Sequence, residues 1–144
     1  MVIEKTVQDL ARWLGGEPEG ELNKVLSGVR SLESAGEADV SFLESERNVA
    51  QAIASRAGCL LAPPGAALPG RTVIRVRNPR YAAARAIELF HPQPPRQPGI
   101  HPTAVIGKNT KIGPDVEIGP LGFIGQEVQI GARTSVGAGC VIGE

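Results

Sequence analysis

Side chains able to do acid–base, nucleophilic or metal chemistry near neutral pH are few in this chain of 144 residues: two histidines, His91 and His101, and two cysteines, Cys59 and Cys140. Imidazole exchanges a proton most readily near pH 7. A zinc site would need three such ligands, or thiols in CxxC pairs. His91 follows an apolar run ending at Phe90, where it is expected to interact with a helix C-terminus. His101 is expected to pack against or cap the first unit of a repeat. No catalytic residue and no metal ligand is therefore assigned within this chain. The cysteines lie far apart and outside any CxxC pair, which predicts reduced thiols and a cytoplasmic protein, with Cys140 packed inward. Arg71, Arg75, Arg77, Arg80 and Arg85 form a basic run with no acid until Glu88. Such a run fits contact with a phosphate or an acidic protein, or equally a solvated strand edge and helix face.

The elements that must position these groups fall into two parts. From Ile100 the sequence reads in sixes: IHPTAV, IGKNTK, IGPDVE, IGPLGF, IGQEVQ, IGARTS, VGAGCV, IGE. A branched aliphatic opens every unit, glycine follows it in all but the first, and the residue two before it is small or β-branched. Strand side chains alternate in direction, so the aliphatic and the residue two before it share a face. Glycine is expected to serve the tight corners. Three strands and three corners make one triangular coil whose aliphatics stack on those of its neighbours. Residues 100–144 provide about two and a half coils, and the array stops in mid-coil without a capping element. That predicts a fragment of a longer protein, or a partner covering the open end.

Residues 1–91 read as a mixed α/β domain. Thr6 and Asp9 suit a capping box for a helix with Val7, Leu10, Ala11 and Leu14 on one face, ended by Gly15-Gly16. Strands are expected at Val25–Leu32, Ala38–Leu43, Cys59–Ala62 and Thr72–Val76, and helices at Glu46–Ala57 and Pro79–Phe90. Residues 92–99, PQPPRQPG, form a stiff Pro-rich linker. Lys plus Arg equal Asp plus Glu at 15 each, which offers no electrostatic case for nucleic acid or a membrane surface. No apolar run approaches the ~20 residues of a membrane span, and the N-terminus lacks the basic and apolar regions of a secretory signal.

Three segments carry a resemblance: ADVSFL (Ala38–Leu43), NPRYAAARAIELF (Asn78–Phe90) and GIHPTAVIG (Gly99–Gly107). With the two-part layout they resemble the UDP-3-O-acylglucosamine N-acyltransferases of lipid A biosynthesis over the whole chain. The resemblance implies an α/β N-terminal domain followed by an all-β left-handed parallel β-helix, assembled as a homotrimer. It implies transfer of a 3-hydroxyacyl chain from acyl carrier protein to the 2-amine of a UDP-linked, 3-O-acylated glucosamine, with no metal or organic cofactor. The base would be a histidine on a coil beyond Glu144, so this chain alone would be inactive. The family's uracil site pairs a Phe in its SFL segment with a Tyr in a following Asn-Pro-Lys-Tyr pattern. Here Phe42 matches the Phe, while Ser45 and Asn48 stand at the Asn and Tyr positions. Asn48 could still hydrogen-bond a pyrimidine edge. Structural roles stand beside these: Phe42 as a core residue at a strand end, Asn48 on a helix surface, Ser45 as a helix cap. The competing reading is a non-catalytic nucleotide-sugar-binding or trimeric scaffold module.

Overall fold

The computed structural model describes residues 2–143, which form two compact units, Met1–Gln93 and Pro94–Glu144. The first begins with strand β1 (Lys5–Thr6) running into helix α1 (Val7–Leu14). Thr6 Oγ1 accepts the Asp9 N–H at 3.1 Å, and the Asp9 carboxylate accepts the Thr6 hydroxyl at 2.7 Å and also its backbone N–H. These bonds from Thr6 hold the Asp9 carboxyl below its ordinary range. They satisfy donors that a helix start otherwise leaves orphaned. Gly15, at φ 67°, ends the helix in a left-handed cap that a side chain would disfavour.

The sheet that follows comprises β2 (Glu17–Glu19), β4 (Gly28–Val29), β5 (Asp39–Phe42), β6 (Cys59–Ala62) and β7 (Val73–Arg75), in the order β2-β7-β6-β5-β4. β4, β5, β6 and β7 pair in parallel, and β2 runs antiparallel to β7 at the edge. The single strand expected over Val25–Leu32 is two. β3 (Val25–Leu26) pairs antiparallel with β1, and β4 pairs with β5. The chain changes partners at Ser27, whose N–H goes to the Ala38 carbonyl at 2.8 Å. β1 and β2, too short to show a periodicity, had no signal in the sequence.

Strand alternation gives the sheet two covered faces. Val40, Cys59, Leu61 and Ile74 pack with α1 and with α3 (Pro79–Phe90), whose Ala82, Ala83, Ala86 and Phe90 are buried. Leu60, Val73 and Ala62 pack on the other face with Leu43, Leu68 and Ala52. Asn78 caps α3 by accepting the Tyr81 N–H at 3.0 Å, with Pro79 at the first helical position. The helix expected over Glu46–Ala57 is shorter and begins as a 3₁₀ turn, Glu46–Asn48, before α2 (Val49–Ala54). Its end is fixed from a distance: the Arg71 guanidinium donates to the carbonyls of Ala52, Ile53 and Ala57 at 2.6–2.9 Å. No helix among the described residues is long and apolar enough to cross a membrane.

The second unit is built from two-residue strands: β8 (Gly99–Ile100), β9 (Val105–Ile106), β10 (Lys111–Ile112), β11 (Glu117–Ile118), β12 (Phe123–Ile124), β13 (Gln129–Ile130), β14 (Ser135–Val136) and β15 (Val141–Ile142). Each ends on the aliphatic of its six-residue unit. They form three parallel sheets, β8-β11-β14, β9-β12-β15 and β10-β13. Residues eighteen apart are paired, as Lys111 is with Gln129 and Ile112 with Ile130. Ile118, Ile124, Ile130, Val136 and Val116 are buried between layers, with Ile106, Ile112 and Ile142 packed against them.

Two expectations are corrected here. The repeat glycines do not provide the left-handed corners. Positive φ falls instead on Asn109, Asp115, Leu121, Glu127, Arg133 and Gly139, three residues after the aliphatics from Ile106 to Val136. The repeat glycines permit close approach: a Cβ on Gly113 would lie 2.7 Å from Ala132 N, and one on Gly119 2.8 Å from Ala138 N. Cys140, expected to pack inward, is exposed, because its layer has a strand partner on one side only, β15 pairing with β12.

Leu121 combines φ 58° with 72% exposure. A left-handed leucine carries a steric penalty of roughly 1–2 kcal/mol, and here burial does not offset it. Leu121→Gly is expected to raise unfolding stability by about 0.5–1 kcal/mol, less than the penalty because glycine loses more entropy on folding. Denaturant melts check this, and a destabilised variant would show that Leu121 makes contacts that outweigh its backbone.

Candidate functional site

In open sheets with parallel strands, ligands settle in the crevice outside the carboxyl ends of the strands. A cleft of about 230 Å³ lies at that end of β4 and β5, lined by Ser31, Leu32 and Glu33 after β4, by Ser41, Phe42 and Glu44, and by Asn48 and Gln51. It brings Phe42 and Asn48 together. Phe42, the last residue of β5, is half-buried and packs against the core on the α1 and α3 face while lining the cleft. Its core and cleft roles therefore coexist.

Asn48 is held by its neighbours. Its Oδ1 accepts the Ser45 hydroxyl at 3.2 Å and its Nδ2 donates to Gln51 Oε1 at 2.8 Å. Ser45 stands at the N-cap position before the 3₁₀ turn but makes no side-chain cap; its hydroxyl orients the Asn48 amide instead. Ser45 itself is exposed and outside the cleft lining. Ser41, which carried no signal in the sequence, is completely buried, and its Oγ has no hydrogen-bond partner among the described residues. No pattern in a short apolar strand marks an unpartnered hydroxyl; only the packed neighbours reveal it.

Most of the basic run is structural. Arg71 holds carbonyls at the end of α2, and Arg75 donates to the Pro63 and Ala66 carbonyls and to both Glu19 carboxylate oxygens, the latter at 3.1–3.2 Å. The Arg75 guanidinium, by these hydrogen bonds, lowers the Glu19 pKa. Arg80 lies 3.9 Å from Glu44. Arg85 lies 3.6 Å from Glu88 and over the Trp13 ring at 5.1 Å. Arg77 makes no ion pair among the described residues; with Asn78, Tyr81 and Arg85 it lines a second cleft of about 370 Å³ that contains two members of the basic run but none of Phe42, Ser45 and Asn48.

The thiols and imidazoles stand outside the first cleft. Burial pushes the Cys59 thiol up to about 12, so it is inert as a nucleophile near neutrality. His91 ends α3, donating its N–H to the Ile87 carbonyl at 2.8 Å. The His101 Nδ1 accepts the Thr103 N–H at 3.2 Å and contacts the Thr103 hydroxyl at 2.9 Å, a turn-stabilising role. Among the described residues no three His, Cys, Asp or Glu side chains cluster as metal ligands would.

The architecture and cleft define a class: an α/β domain with a crevice at the carboxyl ends of its parallel strands, joined to a stack of six-residue strand-and-corner units. Residues 23–89 match the family described as UDP-3-O-(3-hydroxymyristoyl) glucosamine N-acyltransferase. A relative named UDP-3-O-acylglucosamine N-acyltransferase from Anaeromyxobacter sp. (strain Fw109-5) is 44% identical over 102 residues, 70% of this chain and 29% of the relative. One of the same name from Methylacidiphilum infernorum (isolate V4) is 35% identical over 114 residues, 78% of this chain and 32% of the relative. A third, from Koribacter versatilis (strain Ellin345), is 37% identical over 88 residues, 61% of this chain and 26% of the relative. The chain belongs to the UDP-3-O-acylglucosamine N-acyltransferase family, and it spans about a third of the length of the curated relatives it matches.

Arg71→Ala would leave three carbonyls without their charged donor. Hydrogen bonds to charged groups contribute roughly 1.5–3 kcal/mol each, so a loss of at least about 2 kcal/mol is expected. Hydrogen exchange should localise the loosening to Val49–Ala57; protection unchanged there would contradict this role.

Proposed function

We propose that this chain is the substrate-binding front of an N-acyltransferase of lipid A biosynthesis, whose crevice at the ends of β4 and β5 takes the uridine of a UDP-3-O-acylated glucosamine. The observation that carries the reading is the coincidence of two results. The family match spans residues 23–89, and Phe42 and Asn48, within it, line one cleft at the ligand-binding edge of the sheet. In this account Phe42 supplies an aromatic surface to the base. Asn48, held by Ser45, supplies an amide.

The reaction transfers a 3-hydroxyacyl group from acyl carrier protein. A general base removes a proton from the sugar's 2-ammonium group, the amine attacks the thioester carbonyl, and the tetrahedral intermediate collapses to an amide as the carrier thiol leaves. His91 and His101 make structural hydrogen bonds and neither lines the crevice, so in this reading the base belongs to the two-thirds of the relatives' length outside the match. The chain alone binds substrate without turning it over. No cofactor takes part in these steps. The eighteen-residue pairing of the second unit supports a left-handed parallel β-helix, and Val105, Phe123 and Val141, exposed along one sheet, support a homotrimer that covers them.

Uridine 5′-monophosphate titrated into the chain is expected to bind, and Phe42→Ala to weaken binding about tenfold, in keeping with the loss of one base–aromatic contact. Calorimetry reads both. Equal affinity in the two chains would remove Phe42 from the site.

A further inference from the structure

The nucleotide reading leaves the second cleft of the α/β unit without a task. It lies between the end of α1 and the first turn of α3, beside the carboxyl end of β7, and holds about 370 Å³, within the range of small-molecule sites. Its floor is apolar: Leu14, Val76 and Ala82, all part of the core on the α1 and α3 face. Tyr81 lines it with 61% of its surface exposed. Gly15 keeps the mouth open, because nothing lies within 4 Å of where its side chain would stand. Arg77 and Arg85 are the charged residues of the lining. Arg85 is already committed: its guanidinium lies 3.6 Å from the Glu88 carboxylate and 5.1 Å from the Trp13 ring centroid, and its carbonyl accepts the Trp13 indole N–H at 3.3 Å. Arg77 has no ion pair among the described residues. The cleft therefore offers one unspent positive charge beside an apolar floor.

We propose that this cleft is a binding site for an amphiphilic monocarboxylate, a small acid whose apolar chain lies on Leu14, Val76 and Ala82 beside Tyr81 and whose carboxylate pairs with Arg77. The planar guanidinium fork matches a carboxylate with two parallel hydrogen bonds. The floor removes the chain from water, which is the larger driving force for an apolar group. Inorganic phosphate or a nucleotide diphosphate suits the cleft less well, because each brings more than one negative charge to a single unspent cation and gains nothing from the floor. A neutral alcohol gains nothing from Arg77. The crevice at the ends of β4 and β5 has the opposite character: Glu33 and Glu44 line it and no basic residue does, so the same acid is repelled there. The site is thus separate from the nucleotide crevice and does not depend on that reading.

The test is a separate titration of the isotope-labelled full chain with hexanoate, acetate and 1-hexanol, read from backbone amide shifts, for wild type, Arg77→Gln and Tyr81→Ala. Hexanoate is expected to give saturable shifts centred on residues 14–15, 76–78 and 81–85. Acetate, which lacks the chain, and 1-hexanol, which lacks the charge, are each expected to bind at least about tenfold more weakly. Arg77→Gln is expected to weaken hexanoate about fivefold, through loss of a charged hydrogen-bond donor, and Tyr81→Ala about threefold, through loss of apolar contact. Both side chains are exposed, so the two variants keep the fold. Acetate binding as tightly as hexanoate would reduce the cleft to a plain anion patch, and 1-hexanol binding as tightly would reduce it to a plain apolar groove. Either result overturns the proposal, as does wild-type affinity for hexanoate in Arg77→Gln or the lack of any saturable shift in these segments.

Discussion

Parallel pairing of β4, β5 and β6 is the constraint on which the α/β unit depends. It sets the carboxyl ends of β4 and β5 side by side, and so brings Ser31–Glu33, Ser41–Glu44 and the 3₁₀ turn at Glu46–Asn48 around one crevice. Parallel strands need cover on both faces, which explains the two core clusters, one beneath α1 and α3 and one beneath α2. The short α2 is the weakest part of that cover, and Arg71 ties it down by gathering carbonyls from its last turn. The same tie holds the element that follows Asn48. Packing and the geometry of the crevice are therefore one problem: what secures the lower face also places the amide.

The second unit obeys a different logic. Strands of two residues have no independent stability, and each gains its hydrogen bonds from the strand paired with it in the neighbouring layer, as Lys111 N–H does from the Val128 carbonyl and Gly113 N–H from the Ile130 carbonyl. Stacked aliphatics supply the burial, and glycine removes the side chains that would hold the layers apart. Six-residue spacing satisfies both needs at once.

How much of this could be read from the sequence follows the range of the interaction. The capping box at Thr6 and Asp9, the start of α3 at Pro79 and the aliphatic that ends each short strand all lie in local patterns. The division of residues 25–29 between two sheets does not, because it depends on which distant carbonyl receives the Ser27 N–H. Nor does the early end of α2, fixed by an arginine beyond the next strand. The corner conformation was misplaced for another reason: glycine's abundance pointed to positive φ, whereas the structure uses Gly113 and Gly119 for proximity and puts positive φ on Asn109, Asp115 and Glu127. Phe42, Ser45 and Asn48 were visible only through family resemblance. Phe42 matches the family's residue while Ser45 and Asn48 depart from it, and the structure separates the three into an aromatic at the strand end, an orienting hydroxyl and a cleft-lining amide. Ser41 was invisible because nothing in the sequence shows that its hydroxyl is sealed away from its neighbours.

The most direct test of the account is a map of backbone amide shifts in the isotope-labelled chain during titration with uridine 5′-diphosphate. The account predicts saturable shifts centred on residues 31–33, 41–44 and 48–51. Saturable shifts centred instead on Arg77, Tyr81 and Arg85, or no saturable shift at all, would contradict it.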